Sequence, residues 1–130
     1  MEDKSSNLIN EILFDYMISS IKSYEDVIVL LDKIDNPELL KRQQKLRIVM
    51  KLIKYSRSYD EIMNVKDYYV KILRYPLTEK QVWRIIKKLV WASANDQQLN
   101  EVRCYARSKG YLGLYMKVLF NKRMAEFLQT

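Results

Sequence analysis

Apolar positions recur along this chain at helical spacing. The clearest case is Leu77 to Ser93, where Val82, Ile85, Ile86, Leu89, Val90 and Ser93 fall on one side at about 100° per residue. Lys80, Arg84, Lys87, Lys88 and Trp91 fall on the other, so the pattern predicts a helix with an apolar face opposed to a basic one. An earlier amphipathic stretch runs from about Ser6 to Ile21, with Leu8, Ile9, Ile12, Leu13 and Tyr16 or Met17 as its apolar positions. A last one runs from about Tyr111 to Phe127, with Leu112, Tyr115, Met116, Leu119, Phe120 and Phe127 inward.

Start signals punctuate the pattern. Ser23 precedes Tyr24-Glu25-Asp26, Ser58 is followed three residues on by Glu61, Thr78 by Gln81 and Asn95 by Gln98. These are capping-box spacings, in which the cap oxygen accepts from an N3 amide and the N3 side chain reaches back. Asn36-Pro37-Glu38 reads as a fifth start, a cap followed by proline at the first helical position. Gly110 ends the helix begun at Asn95. Seven helices result, in a single domain 1–130. The expected fold class is all-α, as a compact bundle or as a short solenoid-like stack of helical hairpins.

An internal echo accompanies these elements. SYEDV (Ser23 to Val27) reappears as SYDEI (Ser58 to Ile62), and LRIVMKLIKYS (Leu46 to Ser56) as WRIIKKLVWAS (Trp83 to Ser93). Periods in the mid-thirties with two helices per unit characterise helical repeats, although the tetratricopeptide signature is absent. Superimposing the long helices aligns Arg47 with Arg84, Lys51 with Lys88 and Lys54 with Trp91, positions that share a helical stripe. In the first copy Leu39, Leu46, Val49, Met50 and Ile53 are expected on the core side.

Composition narrows the picture. Only two Gly and two Pro among 130 residues, 48% of them apolar, favour ordered helices joined by short connections. A single cysteine, Cys104, excludes an intramolecular disulfide and is expected to be a small buried residue, and the lack of His removes the commonest metal ligand and general base. The N-terminus resembles no signal peptide, and no run reaches the roughly 18 apolar residues of a membrane span. An intracellular location, cytoplasmic or nuclear, follows. The Ile, Lys, Asn and Tyr bias suits an AT-rich genome such as that of many viruses and phages.

Charge adds the functional pointer. Residues 1–40 hold three basic against nine acidic side chains, a net of −6, whereas residues 41–130 hold twenty against seven, a net of +13. The acidic section either neutralises part of the basic one in the fold or leaves a basic surface for a polyanion. Candidate nucleic-acid contacts are Arg47, Lys51, Lys54, Arg84, Lys87, Lys88 and Trp91, with Arg103 and Arg107 extending them. Trp91 itself also suits a core position, as large aromatics are mostly buried. A helix-turn-helix with Thr78 to Trp91 as reader lacks the turn glycine, so contact with the phosphate backbone of RNA or DNA fits better than base reading.

Enzyme chemistry finds no motif. There is no Gly-rich phosphate loop and no nucleophile paired with a histidine, so the chain reads as non-catalytic, without cofactor or metal. The alternative to nucleic acid is an acidic protein surface or another protein-interaction role, as an adaptor, assembly subunit or inhibitor. In that role Trp83, Trp91, Phe120 and Phe127 would form a groove or a homo-oligomer face.

Overall fold

The computed structural model describes the backbone of residues 4–34, 36–111 and 113–129, and side chains from residue 11 onward except at 35, 112, 114, 115 and 130. It is all-α, and no strand occurs among the described residues. The helices are α1 (Lys4–Ser19), α2 (Tyr24–Asp32), α3 (Arg42–Tyr55), α4 (Tyr59–Asn64 continuing through Val65–Tyr69 and Val70–Ile72), α5 (Glu79–Ala92), α6 (Asp96–Ser108) and α7 (Leu114–Leu128). They belong to two compact units, one of residues 1–56 and 67–76, the other of residues 57–66 and 77–130. No helix among the described residues is long and apolar enough to cross a membrane.

Caps fix where helices begin. The Ser23, Ser58 and Asn95 side chains accept from the amides of Asp26, Glu61 and Gln98 at 3.1, 3.1 and 2.9 Å. Each of those three side chains in turn accepts from the amide one residue before the cap, at Lys22, Arg57 and Ala94. Two otherwise orphaned N–H groups are thereby satisfied at each start. At α5 the box closes between Thr78 and Gln81, with the Thr78 amide donating to Gln81 Oε1 at 3.0 Å. Asn36 behaves differently from the expectation: it caps only a 3-10 turn, Pro37–Leu39, after which Leu40 is extended. The start of α3 instead has the Lys41 amide donating to Gln44 Oε1 at 3.0 Å.

In the first unit α1 and α2 pack on α3. Its core is built from Ile18, Ile21, Tyr24, Val27, Leu30, Ile48, Val49, Leu52 and Ile53, joined by Val70, Leu73 and Tyr75. Two sequence expectations are corrected here. Ile12, Leu13 and Tyr16 of α1 are exposed, because α1 turns the Asp15/Ile18 side toward α3. The inward face of α3 runs through Gln44, Ile48 and Leu52 as well as the expected Val49 and Ile53, so Met50 is exposed and Leu46 half-buried, and Leu39 is exposed in the 3-10 turn before the helix. Gln44 is tolerated because its amide donates to Glu11 O and Asp15 Oδ1, both at 3.2 Å. The side chains of Leu8 and Ile9 lie outside the described residues.

In the second unit α5 is central, packing against α4, α6 and α7. Its six expected inward residues, Val82, Ile85, Ile86, Leu89, Val90 and Ser93, are all buried. Met116, Leu119 and Phe120 of α7 are buried as expected, Phe127 is half-buried, and Leu112 and the Tyr115 side chain lie outside the described residues.

The long helices end alike. Ser56 and Ser93, 37 positions apart, are both buried with extended ψ, and each hydroxyl donates to a carbonyl of the last turn, Ile53 O at 3.0 Å and Leu89 O at 2.7 Å. Each buried hydroxyl is thereby satisfied by a carbonyl of its own helix.

A candidate polyanion-binding surface

Each basic residue singled out from the sequence has a definite setting. In the first unit the Arg47 guanidinium reaches Asp15 at 3.4 Å and donates to Ser19 Oγ at 2.8 Å. Lys51 donates to Ile21 O at 3.3 Å, and the Lys54 amine lies 5.2 Å from the Tyr55 ring. With Lys41 bonded to Glu11 at 2.8 Å, the acidic helix α1 offsets the charge of α3. The equivalence of Arg47 with Arg84 therefore holds for helical position and not for surroundings.

The second unit carries twelve basic against six acidic residues, a net of +6. Arg84 of α5 is exposed, and Lys87 and Lys88 one turn later are half-buried. Together with Arg57, Ile62, Trp91 and Ala92, these two lysines line a cleft of about 430 Å³. Helix geometry explains the convergence, since Lys87, Lys88 and Trp91 are spaced to share the flank of α5 facing the start of α4. Burial pushes the Lys88 amine below the ordinary lysine value, and the Glu61 carboxylate offsets that in part.

Trp91 is 45% exposed, so of its two expected settings the core is excluded and the basic flank of α5 is the one observed. Its ring lies 5.9 Å from both Lys122 Nζ and the Arg123 guanidinium. Its helical position, off the buried Val82/Ile86/Leu89 stripe, keeps the indole at the surface, where the two cations lie at the limit of cation–π range. Arg123 is itself a fastener: it donates to the carbonyls of Val90 (3.3 Å), Trp91 (3.2 Å) and Ser93 (2.7 Å), and pairs with Glu126 at 2.6 Å. A guanidinium fork thus closes the C-terminus of α5, where carbonyls lack intrahelical partners and cations are favoured.

Arg103 and Arg107 meet Lys117, Phe120 and Asn121 at a second cleft of about 240 Å³ between α6 and α7. Arg103 lies 5.5 Å from the Phe120 ring. Cys104, on the adjoining face, is exposed and not a core residue. Asp96, Gln97, Asn100 and Glu101 surround it.

The structure brings Lys87, Lys88 and Trp91 together, and separately Arg103 with Arg107. Arg57 and Asn121 join these groups without a sequence signal of their own, as each depends on which neighbouring helix faces it. Comparison of the chain with protein-family models, with curated proteins and with solved structures gives no match.

Proposed function

We propose that the protein is a non-catalytic, intracellular helical module whose second unit binds the backbone of a nucleic acid. The observation that carries this reading is the Arg57/Lys87/Lys88 cleft with the exposed Trp91 on its wall. Lys87 and Lys88, with Arg57 shared by the Glu61 carboxylate at 3.5 Å, suit phosphates, and an accessible indole beside them suits a base of an unpaired strand. Arg84 extends the charge along α5, and Arg103 and Arg107 add a second cluster. Arg47 and Lys51 contribute less, being engaged with α1 and the residues that follow it. RNA and DNA are both compatible with contacts of this kind.

Salt-titrated binding to unrelated single-stranded oligonucleotides tests it. Four to five phosphate contacts give a slope of log K against log salt of about −3. Reversing Lys87 and Lys88 to Glu abolishes binding at low ionic strength. Trp91→Ala weakens it by about 1–3 kcal/mol, the worth of one stacked base. Absence of binding at low salt, or binding indifferent to the reversals, refutes the reading.

A protein-interaction role is the second reading, favoured by one observation: Ile12, Leu13 and Tyr16 of α1 are 59%, 49% and 71% exposed. These replace the groove of Trp83, Trp91, Phe120 and Phe127, of which Phe120 is buried. Sedimentation at several concentrations, with Ile12→Asp as the control, detects self-association through that face.

A further inference from the structure

The cleft between α6 and α7 differs in kind from the one beside Trp91. Arg103 and Arg107 stand one turn apart on α6, and Lys117 and Asn121 one turn apart on α7. Their side chains converge on about 240 Å³, over a Phe120 ring that is only 1% exposed. The volume is below the roughly 300–1,000 Å³ of sites for drug-sized ligands. With its aromatic ring buried, the cleft offers no open face for stacking a base. It does offer three cations and an amide.

No carboxylate lines the cleft, and Arg103, Arg107 and Lys117 form no ion pair among the described residues. The neighbouring acids are engaged elsewhere. Glu101 accepts from the Tyr59 hydroxyl at 2.8 Å, and Glu126 is paired with Arg123. Like charges crowded without a counter-charge raise the energy of the fold, and an anion placed among them reverses that. Guanidinium forks match the oxygens of a phosphate, and Phe120 steadies one of the two forks. A phosphodiester carries one negative charge, but a phosphomonoester carries about −1.5 to −2 at neutral pH, the better match to three cations.

We propose that this cleft is a phosphomonoester site that receives the terminal phosphate of a nucleic-acid strand. The proposal rests on the polyanion-binding reading given above and adds an end-specific contact to it.

The test compares one single-stranded oligonucleotide with a 5′ phosphate and with a 5′ hydroxyl, plus a 5′-hydroxyl strand one nucleotide longer to control for added charge. The expected result is binding of the phosphorylated strand about tenfold tighter than either control, as for one good charge-assisted contact. Arg107→Ala and Lys117→Ala, both at exposed positions that leave the core intact, bring that ratio close to one, while the 5′-hydroxyl strand weakens only by the loss of general backbone contacts. Inorganic phosphate shifts the Asn121 side-chain amide resonances of the native protein and not those of the double variant. Equal binding of all three strands overturns the terminal-phosphate site and leaves the polyanion reading standing. Binding of none at low salt overturns that reading. A phosphate response at Asn121 without strand binding overturns the nucleic-acid source of the ligand.

Discussion

Replacing Arg123 with alanine removes the fork that closes α5, and the loss can be sized from its contacts. Three carbonyls lose a charged donor: Val90 O, Trp91 O and Ser93 O, at 3.3, 3.2 and 2.7 Å. Hydrogen bonds to charged groups contribute about 1.5–3 kcal/mol each, but their contributions do not add, and water can reach the Trp91 carbonyl at an exposed residue. The Glu126 pair adds little, since that carboxylate is 40% exposed. The Phe127 ring, 4.6 Å away, loses its cation. The sum is about 2–3 kcal/mol, or roughly 8–12 °C in Tm for a protein of this size. Arg123→Lys retains one donor and recovers about a third of the loss, because an ammonium cannot span the fork. Urea unfolding followed by tryptophan fluorescence is the assay, since Trp83 and Trp91 both belong to the second unit and report on it alone. A loss below about 0.5 kcal/mol, no larger than that from the exposed Arg84→Ala, would refute the reasoning.

Other predictions follow from the same contacts. Lys88 binds its proton less tightly folded than unfolded, so it contributes stability that rises with pH toward the ordinary lysine range. Wild type should therefore gain on Lys88→Met between neutral pH and about pH 10, the raised phenols of Tyr69 and Tyr111 cancelling in the difference; a shrinking difference would mean that attraction to Glu61 dominates. Gln44→Ala takes the acceptor from the Lys41 amide and the donor from Glu11 O and Asp15 Oδ1, and empties a 3% exposed position, so it should cost about 1–2 kcal/mol in urea unfolding. Gly110 has φ +79° with open space around it, so Gly110→Ala should cost about 1 kcal/mol from backbone strain alone. Arg74, at φ 50°, is the converse case, and Arg74→Gly should raise Tm slightly despite losing its exposed Glu38 pair.

The helices were legible where local chemistry decides them. Ser23, Ser58, Thr78 and Asn95 cap the helices that their sequences announce, because an N3 acceptor makes the signal self-contained. Asn36-Pro37 carried the same local signal and started only one tight turn. The inward face of α5 could be read because its apolar stripe is unbroken, whereas that of α3 could be read only at Val49 and Ile53, since Gln44 completes it and the exposed Met50 mimics it. For the candidate site, charge type was readable and charge availability was not. Arg47 and Arg84 occupy matching positions, yet only Arg47 lies opposite an acidic helix. Arg123 looked like one more surface cation, and only the approach of α7 to the end of α5 reveals what it fastens.

The π-helical turn Val65–Tyr69 bears on how this chain can change in length. Buried positions along α4 step from Tyr59 to Ile62 to Val65, then jump five residues to Val70 before resuming at Leu73. A wider turn absorbs the surplus residue and rotates everything after it. The junction between the two units falls inside this segment, between Lys66 and Asp67. Deleting Asp67 would restore ordinary winding and turn Val70 and Leu73 by about 100° about the helix axis relative to Ile62 and Val65. Insertions and deletions here act like a change of gear: a single codon re-aims the rest of the helix, whereas a substitution leaves its winding count unchanged. Homologous chains should therefore keep the count of five between Val65 and Val70.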